Sequence, residues 1–431
     1  MKLRVSNRRL RHGVIGLMCL ASLAGTVPAM AHEHDQASPS ISDPADDLRQ
    51  ISFPTSEKSP EAQRHFVHGM LWLHLFEYPY AADEFRKAEK LDPDFALAYW
   101  GEAMTHTHAI WNQDDPVAAR AVLAKLGQTP QARAAKAPTP REKAFLDTGE
   151  QLFGPGTLKE RDTRFLAATN ALAQRYPDDD EAQLLHALAL LGVSRGQRDI
   201  PNYLEAAAIA RRVLARNPMH PGAAHYWIHG MDDPEHARGA LEAARALAKI
   251  APGAGHAQHM VSHIYMALGQ WDEVIAANEQ ALRVGNAQMH AQGKPDIGCF
   301  HANVWLQYAY YQAGRNNDGQ RLLAECMQLG AQKMAGMMQR PDRNAKGMVA
   351  FQGLWHASYV SMRATAAIES SKDRTYDAAL SADISDIGRE GGWDCFARGY
   401  AALRDGDVAA ARGDLARVKA FATAGPRSGR Q

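Results

Sequence analysis

Seven of the chain's 19 histidines, His220, His225, His229, His236, His256, His259 and His263, fall within one stretch of 44 residues. His225 and His229 are four residues apart, as are His259 and His263, which on a helix puts both rings of each pair on one face. An i, i+4 histidine pair is the spacing that brings two imidazole nitrogens to one metal ion, and imidazole suits Cu, Fe, Zn and Ni. The two pairs recur 34 residues apart, so together they offer four nitrogen ligands. His256 adds a fifth one turn before His259, and His301 extends the set farther along the chain. Asp232, Asp233 and Glu235 follow His229 and are candidates to orient the imidazoles by hydrogen bonding. Neither pair encloses a Glu, so the zinc-protease pattern with its helix-borne base is absent.

Helices must position these residues. Apolar positions recur at three and four, as in Leu184, Leu185, Leu188 and Leu191, and no segment alternates with period two. A repeat with a period near 34 organises them. Its clearest unit runs from His65 to Pro93, with Gly69, Trp72, Ala81, Phe85, Ala88 and Pro93 at the small, large and terminal positions of a helix–turn–helix unit. A second runs from Gly255 to Ala281 with its turn at Gly269-Gln270, and Pro177, Pro218 and Pro252 close further helical segments. His65, His68, His74, His106 and His108 fall where packing or surface roles are expected. The expected fold is all-α, a right-handed superhelix of about eight or nine helical hairpins over residues 61–423. Its irregular parts are the loop after Trp111, the segment Gln128–Pro140 and the connection Gly285–Gly298.

The stretches Ala98–Met104 (AYWGEAM), His225–His229 (HYWIH) and His256–Ile264 (HAQHMVSHI) resemble motifs of bacterial exported tetratricopeptide-repeat proteins, similar to the tetratricopeptide repeat protein 38 family. The resemblance covers most of the chain from about residue 61 and implies a solenoid fold without an assigned activity. In such repeats the fifth and ninth positions of the first helix line a concave groove. His225 and His259 are fifth positions, and His229 and His263 ninth. Three readings of the cluster stay open: a metal or cofactor site, a polar packing network, and a groove for a protein, peptide or small ligand. The expected function is an exported scaffold that binds a partner in its groove, with the alternative of a metal-dependent enzyme using His225, His229, His259 and His263. No nucleophile or substrate pocket is identifiable.

Overall, 48 Lys and Arg balance 48 Asp and Glu, but residues 1–31 hold five bases and no acid. The remaining 400 residues are mildly acidic, a poor match for nucleic acid, whose binders concentrate positive charge. The basic start, the apolar run Val14–Val27 and Ala29-Met30-Ala31 read as a cleaved export signal, giving a periplasmic or secreted protein. No stretch is apolar for long enough to span a membrane. Residues 32–60 read as a flexible leader and 424–431 as a disordered tail. Cleavage after Ala31 would leave His32-Glu33-His34, in which a free amine and the third-position histidine suit square-planar Cu(II). Outside the signal, Cys299, Cys326 and Cys395 allow at most one disulfide.

Overall fold

A computed structural model describes residues 51–338, 345–369 and 388–423. The export signal, His32 and His34, most of the leader and the tail lie outside the described residues. Eighteen helices and one two-residue β-ladder are present among them. In chain order the first twelve helices are α1 (Pro60–His74), α2 (Tyr78–Leu91), α3 (Ala96–Met104), α4 (Pro116–Leu126), α5 (Pro130–Ala135), α6 (Pro140–Phe153), α7 (Leu158–Arg175), α8 (Asp180–Gly192), α9 (Ile200–Arg216), α10 (Pro221–Gly230), α11 (Leu241–Ile250) and α12 (Gly255–Ala267). They are followed by α13 (Trp271–Ala291), α14 (His301–Gln312), α15 (Asn316–Met338), α16 (Ala345–Glu369), α17 (Gly388–Arg404) and α18 (Val408–Thr423). No described helix is long and apolar enough to cross a membrane.

The helices start where the sequence supplies caps. Ser59, Asp115, Thr129, Thr139, Thr157, Asp179 and Asp199 each accept a backbone N–H of the helix that follows. Thr139 and Thr157 form full capping boxes with Glu142 and Glu160. Proline occupies the first turn of α1, α4, α5, α6 and α10, where its missing N–H costs nothing. Successive helices then pair. The repeat residues read from the sequence meet in α1, α2 and α3, where Phe85 is wholly buried and wedged between Gly69 and Gly101. A Cβ at Gly69 would stand 2.5 Å from the Phe85 ring and one at Gly101 2.4 Å, so only glycine admits the ring.

The chain divides into two compact units. Unit 1 is Met1–Gly269 with Arg283–Gln292, and unit 2 is Gln270–Leu282 with Gly293–Gln431. In unit 1, α1 packs against α2 and α3 and also against α10, about 150 residues onward. Part of the expected leader is also packed. Phe53 is 2% exposed and its ring lies 4.9 Å from Phe66 and 4.8 Å from Phe145, while Ser56 donates from N and Oγ to Glu142 Oε1, both at 2.7 Å. The loop around Trp111 forms a small hairpin, β1 (Thr107–His108) against β2 (Gln113–Asp114), held by the buried Asp114–Arg161 ion pair at 2.8 Å. The segment expected to be an irregular connection from Gly285 stays helical to Ala291.

Unit 2 is crosslinked by Cys299–Cys326, while Cys395 is a free, buried thiol. Its interior holds the Arg363–Asp394 ion pair at 3.0 Å, with both side chains fully buried.

Candidate functional site

Each histidine pair sits on its own helix, and each pair brings its ring nitrogens together. His225 and His229 on α10 place their Nε2 atoms 3.1 Å apart, and His259 and His263 on α12 do the same at 3.1 Å. A metal bound at 2.0–2.1 Å separates adjacent nitrogens by ~2.9 Å in a square-planar set and ~3.3 Å in a tetrahedral one, so both spacings suit shared coordination. The third nitrogen beside the first pair comes from His256. One ring nitrogen from each of His225, His229 and His256 lies within 4.8 Å of the other two. This differs from a single set made of the two pairs: His256 joins His225 and His229, with its ring 5.2 Å from His225 and 6.4 Å from His259.

Neighbouring acceptors fix which nitrogen each ring presents. His225 Nδ1 lies 2.7 Å from the His74 carbonyl oxygen, which can only accept, so Nδ1 carries the proton and Nε2 offers its lone pair. His263 Nδ1 lies 2.7 Å from Asp232 Oδ2, the carboxylate–histidine pairing that turns the distal nitrogen toward a metal. Of the three carboxylates singled out in the sequence, Asp232 is the one seen bonded to a histidine of the two pairs. Asp233 is not, being committed to Arg198 at 2.7 Å and to His236 at 2.8 and 2.9 Å. Glu235 is exposed, and His301 belongs to unit 2, where its ring lies 5.2 Å from Trp305.

The site lies in the interior of unit 1. His225 is 0%, His229 7% and His259 5% exposed, while His256 and His263 are half-buried. Burial pushes the His225 imidazole down to about 4, outweighing its bond to the His74 carbonyl. It likewise holds His229 and His256 well below the ordinary histidine range, and repulsion from neighbouring histidines adds to it. Neutral imidazole is the form that ligates a metal. His256 Nε2 is buried without a hydrogen-bond partner, a costly arrangement unless something else engages it.

Aromatic side chains wall the centre. Phe76 lies 4.5 Å from His225, 5.6 Å from His229 and 5.8 Å from His256, and Trp111 meets His256 edge-on at 5.4 Å. Phe76 adopts φ +57° and ends α1 through Phe76 N–H to Leu73 O and Glu77 N–H to Trp72 O, the Schellman turn whose left-handed position usually holds glycine. The following residue, Glu77, caps α12 from outside by accepting the His256 N–H at 3.1 Å, since Ala254 has no side chain to do so. Burial raises the Glu77 carboxyl, opposed by the His256 and Gly255 amides. Neither Phe76, Trp111 nor Glu77 carried a signal in the sequence.

A second buried cluster joins His74, expected in a packing or surface role, to His220 of the histidine-rich stretch through Glu181, which sequence reasoning did not single out. His220 Nδ1 accepts the Ala223 N–H as the α10 N-cap, so its Nε2 carries the proton and donates to Glu181 at 3.1 Å. His74 Nε2 lies 2.8 Å from the other Glu181 oxygen and its Nδ1 3.0 Å from the Tyr226 hydroxyl. Burial pushes the Glu181 carboxyl up, but the charge and hydrogen bonds of His74 and His220 outweigh it and hold the group well below the carboxylate range. The network is internally satisfied and braces the His74 carbonyl that orients His225.

No protein-family model matches the chain. No curated protein matches it either. Among solved structures, the chain is similar to a Rap protein complexed with competence and sporulation factor (13% identity, 84% of this chain and 99% of that one, TM-score 0.34). It is also similar to yeast Tom70 (9% identity, 85% of each chain, TM-score 0.33) and to the human IFIT1 dimer with PPP-AAAA (12% identity, 88% and 94%, TM-score 0.28). Likenesses this distant leave function to be argued from the site itself.

Proposed function

We propose that this protein is an exported helical-repeat protein that holds a transition-metal ion, Cu, Fe or Zn, in a buried polyhistidine centre of unit 1. His225, His229 and His256 form the principal ligand set, and His259 and His263, oriented by Asp232, offer a second nitrogen pair. The observation that carries this reading is the pair of 3.1 Å Nε2–Nε2 approaches in which His74 O and Asp232 hold the Nδ1 atoms of His225 and His263 away from the shared space. A peptide partner is a poorer fit to this position because His225, His229 and His259 are buried. The basic and apolar N-terminus supports export, as does the Cys299–Cys326 bridge, a bond that persists in oxidising compartments.

A second reading, a scaffold for a protein or peptide partner, is favoured by the last hairpin, where α18 buries no residue and Leu403, Val408 and Leu415 stand exposed. Stacked helical repeats present extended binding surfaces of this kind. The two readings separate readily, since association at α17 and α18 does not depend on the histidines.

The test is elemental analysis of the purified protein, followed by chelation and titration with Cu(II), Fe(II) and Zn(II). We expect tight binding by the native chain and loss of at least about a hundredfold in affinity in a His225→Ala, His229→Ala double variant, with Asp232→Asn weaker by about 10–100-fold. Equal metal content in native protein and double variant would overturn the assignment.

A further inference from the structure

Trp111 lies across four other rings. His256, Phe76, Tyr78 and His108 form an offset column, with 27°, 10° and 17° between the planes of successive rings and centroids 5.8, 5.6 and 3.8 Å apart. The Trp111 indole crosses this column on edge, at 78–85° to each of the four planes and 5.4–6.1 Å from each centroid. Edge-to-face contact is a favoured arrangement of aromatic pairs, so the column holds the indole in place. The indole also meets water. Trp111 is 37% exposed, whereas Nε2 of the His256 ring it packs against is buried.

The hairpin that carries Trp111 is tied down by other groups. Asp115 N–H donates to His106 O at 2.9 Å, Asp114 pairs with Arg161 at 2.8 Å, and the chain reverses through Asn112 at φ +54°, a conformation asparagine tolerates. None of these features involves the indole, so the ring can swing aside without undoing the hairpin.

We propose that Trp111 is the access residue of the polyhistidine centre: its indole closes the approach from solvent to His256, and its swing sets how fast a metal ion enters and leaves. The inference rests on the metal reading above and adds the side of entry, at half-buried His256 and not at His225, which has no exposed surface. A small ion needs only a brief opening. A chelator must bring its own donor groups in, so extraction is the step the indole slows most.

Two measurements on the full chain test this, one of them without metal. In metal-free protein, diethyl pyrocarbonate acylates accessible imidazole nitrogens, and peptide mass mapping reads each histidine separately. Trp111→Ala should raise the rate at His256 by about tenfold or more, the effect of losing the edge-to-face contacts, and Trp111→Phe by less. The rate at His220, buried elsewhere in unit 1, should not change. In Zn(II)-loaded protein, extraction by EDTA should quicken by a similar factor in Trp111→Ala, with a much smaller change in equilibrium affinity. Equal His256 reactivity in the native chain and Trp111→Ala, an increase shared by His220, or equal rates of Zn(II) extraction would overturn the proposal. If the native chain binds no metal ion, the metal reading falls, and the His256 rates alone still decide whether Trp111 closes the approach.

Discussion

The same helix-ending turn occurs in both units, built with different residues. In unit 2, Gly314 after α14 and Gly406 after α17 take φ +76° and +86°, and each turn closes with paired bonds, Gly314 N–H to Tyr311 O with Arg315 N–H to Tyr310 O, and Gly406 N–H to Leu403 O with Asp407 N–H to Ala402 O. In unit 1 the equivalent position after α1 is Phe76 at φ +57°. Glycine meets this conformation without steric cost, whereas a residue with a Cβ bears roughly 1–2 kcal/mol of strain. The ends of α14 and α17 thus carry no such cost, nor does that of α12 in unit 1, at Gly269 with φ +70°, while the end of α1 keeps an aromatic ring that lies against three histidines and lines a small cavity. Strain retained by a side chain in such a place points to a role for that side chain.

Substitution at Phe76 should give the largest effect. The ring is 6% exposed, so Phe76→Ala should destabilise unit 1 by about 3–5 kcal/mol, leaving strained backbone and a cavity together. Phe76→Gly loses the same packing but relieves the left-handed backbone, so it should be more stable than the Ala variant by about 1 kcal/mol and less stable than the native chain. Urea unfolding orders the three; a Gly variant more stable than the native chain would mean that the ring contributes nothing.

Unit 2 depends more on covalent closure. The Cys299–Cys326 crosslink, spanning 27 residues of sequence, should contribute about 3–4 kcal/mol by restricting the unfolded chain. A Cys299→Ser, Cys326→Ser variant should therefore show faster hydrogen exchange in α14 to α16 with no change in α6 to α10. Equal acceleration in both segments would break the contrast between the units.

The two units were also unequally legible in the sequence. The hairpin of α1 and α2 followed from local spacing, because Gly69, Ala81, Phe85 and Ala88 meet within one repeat. The i, i+4 histidine pairs were equally local, whereas Asp232, picked for its nearness to His229, meets His263, 31 residues onward. What escaped were contacts made by the return of α1 onto α10: the His74 carbonyl that orients His225 is 151 residues distant. His256 was read as a neighbour of His259 by sequence, yet lateral packing of α10 and α12 sets it beside His225. Phe76 gave no turn signal because glycine normally marks that position. Residues 51–59 read as leader because their polar average hid Ile51 and Phe53, both buried. The sequence allowed one bridge among three cysteines, and helix placement decided which two.

A smaller, pH-dependent difference is expected from Glu89 on α2. Burial, then the hydrogen bond with Glu102 and its negative charge, push the Glu89 carboxyl up to about 8, against the pull of Lys125 and Arg86. The folded chain therefore keeps a proton that the unfolded chain releases near 4.5. The stability this gives is complete below about 4.5 and is lost as pH rises through 8. Urea midpoints of unit 1 should fall across that window in the native chain and fall less in Glu89→Gln; parallel curves would remove Glu89 as the cause.

Gly314→Ala should give the smallest effect and isolates the backbone half of the comparison. A Cβ built at Gly314 meets nothing within 4 Å, so substitution creates no clash, and glycine has no side chain whose packing could be lost. What remains is the cost of holding alanine at φ +76°, about 1 kcal/mol, set against a small gain from a less flexible unfolded chain. Gly406, at φ +86° and equally open, should respond alike, so the two variants serve as replicates of one term. Calorimetric unfolding of both gives the strain that the turn imposes on any residue with a Cβ. That value, subtracted from the difference between Phe76→Ala and Phe76→Gly, should leave a residue near zero. A large residue would mean that the backbone around Phe76 is shaped by the histidine centre and not by the turn alone.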